Sequence, residues 1–97
     1  MAMTRAQLLL GKLAEEGVEV AQIALKTQQF GMSEVRAGQS LTNAQRIHLE
    51  LDDLMAQIEM LNDECALGYL PNRERIEAKK NKVNQFADLS ATLGQVG

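Results

Sequence analysis

Two pairs of acidic residues stand one helical turn apart in this chain: Glu16 with Glu19, and Glu50 with Asp53. They lie within Glu15-Glu16-x-x-Glu19 and Glu50-x-x-Asp53. An i,i+3 spacing puts both members of a pair on one helix face. Two such faces brought together form a cage of four carboxylates. That cage repels itself unless a cation is present, so the pattern asks for a divalent metal. Oxygen donors from two rigid helices suit Mg2+, with Mn2+ as an alternative, and leave coordination positions for phosphates. No His or Cys stands at zinc-ligand spacing.

Three helices must position these acids. The first is expected over 4–28, opened by Thr4-x-x-Gln7 in capping-box form and closed by Phe30-Gly31. The second is expected over 43–67, opened by Thr42-x-x-Gln45 and stopped by Gly68 and Pro71. The third is expected over 73–93, with Asn72 as its cap and Ile76, Val83, Phe86, Ala87 and Leu93 as apolar positions. Between the first two, residues 30–41 hold Gly31, Ser33, Gly38 and Ser40 and read as a loop. It is long for a helix–helix connection, which suits either a functional loop or a solvated linker. Gly94 and Gly97 close a frayed tail. Gly11 and Gly17 weaken the first helix, so close packing or room for a ligand is expected there.

Helical periodicity says which acids face inward. On a wheel of about 100° per residue, Leu13, Glu16, Val20 and Ile23 fall within about 40° of Leu9. Glu16 is thus inside the apolar stripe, Glu19 at its edge and Glu15 beyond. The second helix carries a seam of Ile47, Leu51, Leu54, Ile58, Leu61 and Cys65, with Glu50 about 60° and Asp53 about 120° off Ile47. A carboxylate in an apolar stripe is costly unless paired or neutralised. The competing reading is a solvated face with salt bridges, Lys12 pairing with Glu15 or Glu16 and Arg46 with Glu50.

Composition narrows the function classes. The 97 residues suit one domain spanning 1–97, and a net charge of −3 gives no footprint for nucleic acid. A chain this short buries only about two thirds of the surface its unfolded form exposes, so a second copy is expected to complete the core. The fold class is all-α, three main helices forming a four-helix-type bundle through oligomerisation, as a homodimer or homotetramer. The single Cys65, the lack of a signal-peptide pattern and the lack of a membrane-length apolar run lead to the expectation of a cytoplasmic protein without membrane contact. His48 reads as a surface or packing residue, the five methionines as core or interface filler, and Phe30 and Tyr69 as helix-end packing.

The run Lys12-Leu13-Ala14-Glu15-Glu16-Gly17-Val18-Glu19, followed by Glu50-Leu51-Asp52-Asp53, resembles the MazG-like family of all-α nucleoside triphosphate pyrophosphohydrolases. The run Ile76-Glu77-Ala78-Lys79-Lys80-Asn81-Lys82-Val83 is similar to small phage-type and bacterial members. The connection between the two acidic motifs is a little longer than the family's. The resemblance implies Mg2+-dependent cleavage of a nucleoside triphosphate between the α and β phosphates, giving a monophosphate and pyrophosphate. It implies Glu16, Glu19, Glu50 and Asp53 as metal ligands, and Glu15 with Glu16 as the catalytic pair, Glu15 orienting water. Lys12, Lys79 and Lys82 are candidates to hold the phosphate tail, against ordinary surface lysines. The alternatives are a related phosphohydrolase acting on phosphoribosyl-ATP or another nucleotide, a nucleotide-binding regulator, and a non-enzymatic helical interaction module.

Overall fold

Both capping boxes form, and each sets a helix start. Thr4 Oγ1 accepts from Gln7 N–H at 3.0 Å while Gln7 Oε1 accepts from Thr4 N–H at 2.8 Å. Thr42 and Gln45 repeat the exchange at 3.1 and 2.9 Å. In this computed structural model, which describes residues 2–94, the helices are α1 (Arg5–Phe30), α2 (Asn43–Cys65) and α3 (Arg73–Thr92). Among the described residues there is no strand, only an isolated bridge between Val35 and Thr42. No described helix is long and apolar enough to cross a membrane. Gly97, expected in the tail, lies outside the described residues.

The helix ends differ from expectation by two residues at two places. α1 runs on to Phe30 and ends where Gly31 takes φ 99°. α2 stops at Cys65, before Gly68, because Ala66 itself adopts the left-handed conformation at φ 55°. Asn62 then holds the turn: its side chain donates to Tyr69 O at 2.9 Å and accepts from Tyr69 N–H at 2.8 Å. A side chain that supplies the turn's hydrogen bonds removes the need for glycine at the reversal.

α1 and α2 form an antiparallel hairpin. At its open end Arg5 Nε donates to Glu64 Oε1 at 2.8 Å. At its closed end Asn43 is 1% exposed, and its Nδ2 donates to Gly31 O at 2.9 Å and Glu34 Oε1 at 3.1 Å. Backbone bonds from Asn43 N–H to Glu34 O and from Ala44 N–H to Met32 O fasten the same corner. Residues 31–42 are therefore tied to the first turn of α2, not a loose linker. The fully buried apolar side chains are Leu9, Ile23 and Leu61, with Leu13, Val20, Ile47, Leu54 and Ile58 half-buried between them. Leu51, expected in the seam, is exposed. α2 is turned so that Glu50 and Leu54 face α1, and Leu51 lies one residue further round.

α3 stands apart. None of its Cα atoms comes within 8 Å of α1 or α2. Of its expected apolar positions only Ile76 and Ala87 are partly covered; Val83, Phe86 and Leu93 are exposed. Gly11 and Gly17 also face open space, so close packing within the chain is not what retains them. The accessible surface is 7665 Å², against about 5,500 Å² for a folded monomer of this mass. The radius of gyration is 17.3 Å, against roughly 12.5 Å for a compact chain of this length.

Burial identifies the residues that hold the hairpin. Leu61 is 2% exposed. Leu61→Ala is expected to lower the unfolding free energy by about 2–5 kcal/mol, measured by urea titration. Leu51→Ala, at an exposed position, should change it by less than about 1 kcal/mol in the dissociated chain.

Candidate metal centre

The hairpin brings the two acidic motifs to one level. One carboxylate oxygen from each of Glu16, Glu19, Glu50 and Asp53 lies within 4.8 Å of the other three. Glu16 and Glu50 are half-buried in the α1–α2 seam; Glu19 and Asp53 are exposed at its rim. The wheel placed Glu16 inside the stripe, where it is found. It placed Glu50 off the seam, but the rotation of α2 draws Glu50 inward.

No cation of the described residues pairs with the four acids. Glu16 Oε2 and Glu50 Oε2 are buried without a hydrogen-bond partner. Burial holds the Glu16 carboxyl above its ordinary value, and the charges of Glu19 and Asp53 add to the effect. Glu50 is raised first by the hydrogen bond its protonated form makes with Glu19, then by burial and by the charges of Glu19, Asp53 and Glu16. At the open end the opposite occurs, where the Arg5 hydrogen bond holds Glu64 below its usual range.

This donor set fits a hard divalent cation. Two of the four residues carry an orphaned buried oxygen, and the set contains oxygen alone. Oxygens on opposite sides of one Mg2+ ion lie roughly 4.2 Å apart, and around Ca2+ a little further. The 4.8 Å spread therefore matches a single coordination sphere. Histidine and thiolate, the usual partners of zinc, are absent from the cluster.

The remaining predicted residues are placed less tightly. Glu15 is exposed, and its Oε2 pairs with Lys12 Nζ at 3.2 Å. With Glu19, Gly11, Ala14, Val18 and Gln22 it lines a shallow groove of about 400 Å³ on the outer face of α1. Lys79 and Lys82 lie on α3 and are not brought to the cage within one chain. Lys79 instead lines a groove with Tyr69, Asn72 and Ile76. His48 is exposed and outside the cluster.

Sequence reading missed Lys26 beside the site and named Arg46 only in the competing salt-bridge reading. Lys26 and Arg46 line a groove of about 270 Å³ together with Glu19, Gln22, Ile23 and Glu50. The competing reading paired Arg46 with Glu50; the structure forms no such pair, and Arg46 Nη1 is buried without a partner. The available signal was spacing: Lys26 follows Glu19 by two turns, and Arg46 precedes Glu50 by one. Comparison with family models, with curated proteins and with solved structures gives no match.

The raised carboxyls carry a pH signature. Glu16 and Glu50 bind their protons more tightly folded than unfolded. Their contribution to stability is present below the ordinary value of 4.5 and is lost as pH rises through the raised folded values. The melting temperature of the metal-free chain is expected to fall as pH rises from ~4.5 towards neutrality. Mg2+ should restore it at neutral pH and do little at acid pH. Glu50→Gln, which mimics the protonated form, should raise the metal-free melting temperature by ~2–5 °C at neutral pH and abolish the response to Mg2+. Thermal scans with and without EDTA read both effects.

Proposed function

We propose that this chain is a Mg2+-dependent nucleoside triphosphate pyrophosphohydrolase of the MazG-like type. The observation that carries the reading is the cage itself. Glu-Glu-x-x-Glu and Glu-x-x-Asp meet across two antiparallel helices with buried, unneutralised oxygens. A scaffold that used these acids for salt bridges would pair them, and none is paired.

Glu16, Glu19, Glu50 and Asp53 would hold the ion. When bound, the ion supplies charge neutralisation at the phosphates and a lowered pKa for the attacking water. The half-buried Glu16 and Glu50 would hold it from within the seam, and the exposed Glu19 and Asp53 from the rim, where substrate would enter. Glu15 engages Lys12 through Oε2, which leaves Oε1 to orient the attacking water and accept its proton. Water adds to the α-phosphorus, the α–β bridging oxygen leaves with the pyrophosphate, and a nucleoside monophosphate remains.

The functional unit in this reading is a homodimer, or a homotetramer built from it. The surface in excess of a compact monomer is about 2,000 Å² per chain, well above the ~800 Å² per partner of a standard interface. Exposed Val83, Phe86, Leu89 and Leu93 on α3 are apolar surface that a second hairpin would cover, completing a four-helix-type bundle. Lys79 and Lys82 would then approach the partner's cage and its phosphates.

Light scattering is expected to give twice or four times the mass of the 10.7 kDa chain, and a monomer would remove the bundle from the proposal. A screen of nucleoside triphosphates with Mg2+ should release pyrophosphate, not orthophosphate. Glu16→Gln and Glu50→Gln should each reduce that release by roughly 100-fold or more. Unchanged turnover in both variants would sink the assignment. Tight triphosphate binding with negligible turnover would make the chain a nucleotide-binding regulator.

A further inference from the structure

α3 carries one row of side chains that its own hairpin does not meet. Arg75, Lys79, Lys82, Phe86, Leu89 and Leu93 follow one another at steps of four and three residues, the spacing of a helix-pairing seam. On a wheel of about 100° per residue they all fall within about 40° of Arg75. Every one of them is exposed. The row is divided, with the cations first and the apolar side chains after them. Glu77, on the same turns, is taken by Arg73 and Lys80, which lie off the row. Arg75, Lys79 and Lys82 have no carboxylate partner among the described residues. Like charges at these spacings repel along a helix, so the row is stabilised by acids brought from outside.

The outer face of α2 is divided in the opposite order. Leu51, Met55, Glu59 and Asp63 lie within about 60° of His48, turned away from Glu50 and from α1. They are exposed, and neither acid has a cation partner among the described residues. Laid antiparallel, Arg75 stands opposite Asp63, Lys79 opposite Glu59, and Phe86 beside Leu51 and Met55. The charged pairs are four residues apart on both helices, about 6 Å, so they form together. A parallel arrangement would set the cations against Leu51 and Met55. α1 offers no such face, because its acids are committed to Lys12 or to the cage.

We infer that α3 of each chain seats antiparallel on the outer face of α2 of a second copy, an exchange of arms that closes on itself as a two-fold dimer. The inference rests on the homodimer proposed above and adds the face, direction and register of its contact. The chain's own α2 is not the seat. α3 stays clear of it, and the two Asn62–Tyr69 bonds hold the connector that would have to fold back. The register also separates the α3 lysines. Lys79 is taken by Glu59, whereas Lys82 falls level with Ala56, within one turn of Asp53, and is the α3 cation left for the partner's cage.

Light scattering on charge-reversed chains tests the seat. One chain carries Glu59→Lys with Asp63→Lys, the other Arg75→Glu with Lys79→Glu. All these positions are exposed, so both chains should keep the parent's helicity. The single reversals Glu59→Lys and Lys79→Glu give the same readout where a double reversal costs helicity. Each variant alone sets like charges against like and is expected at half the parent's mass. Mixed one to one, the two chains form both contacts with opposite charges, and the parent's mass should return. A seat on the chain's own α2 cannot be repaired by mixing, so a mixture that stays at half mass overturns the inference. A variant that alone keeps the parent's mass overturns it too. Either result strikes the seat and leaves the homodimer, whereas a parent at 10.7 kDa strikes both.

Discussion

The structure turns on placing like charges where apolar side chains would ordinarily go. Between the buried Leu9–Leu61 end of the hairpin and the Ile23–Asn43 end, the seam is interrupted by Glu16 and Glu50. Each replaces a contact that would hold the helices together with one that pushes them apart. The hairpin tolerates this because its two ends are fastened independently, by side-chain and backbone bonds around Asn43 and by the Arg5–Glu64 pair. Local stability is given up at the middle and secured at the ends, the usual pattern where a site is built into a scaffold.

The same arrangement explains the polarity of the surroundings. Lys12 is engaged by Glu15 and Arg5 by Glu64, so neither of these cations pairs with the cage. Lys26 and Arg46 lie beside it without closing onto it. A pairing would neutralise the acids and remove the reason for a cation. The chain keeps opposite charges adjacent but separate along the hairpin.

Much of this was legible in the residues, because the deciding signals are local. Thr4-x-x-Gln7 and Thr42-x-x-Gln45 fix helix starts through bonds within four residues, and both form. The inward position of Glu16 follows from a 3.6-residue repeat on a straight helix. What failed depends on partners that periodicity does not name. Leu51 and Glu50 are neighbours on α2, and only the packing angle against α1 decides which one faces inward. The apolar positions of α3 describe a face without saying what it meets, and neither α1 nor α2 meets it. The stop at Ala66 depends on Asn62 reaching Tyr69, a tertiary bond that no glycine or proline marks. Lys26 was passed over because a lone lysine has no pattern, and its place beside Arg46 depends on how α1 packs on α2.

The pinned corner at Asn43 also has a mechanical consequence. Its side-chain bonds are partly buried, whereas the Arg5–Glu64 clasp at the far end is exposed and weak. The two helices therefore behave as tongs, with a stiff pivot and a loose tip. Glu50 lies seven residues from the pivot and Glu64 twenty-one, roughly 10.5 and 32 Å along the helix. Any spreading of the tip reaches the carboxylates at about one third of its amplitude. The hairpin can breathe at its open end while the span between Glu16 and Glu50 hardly changes, so a marginal two-helix unit keeps its four carboxylates at a fixed spacing.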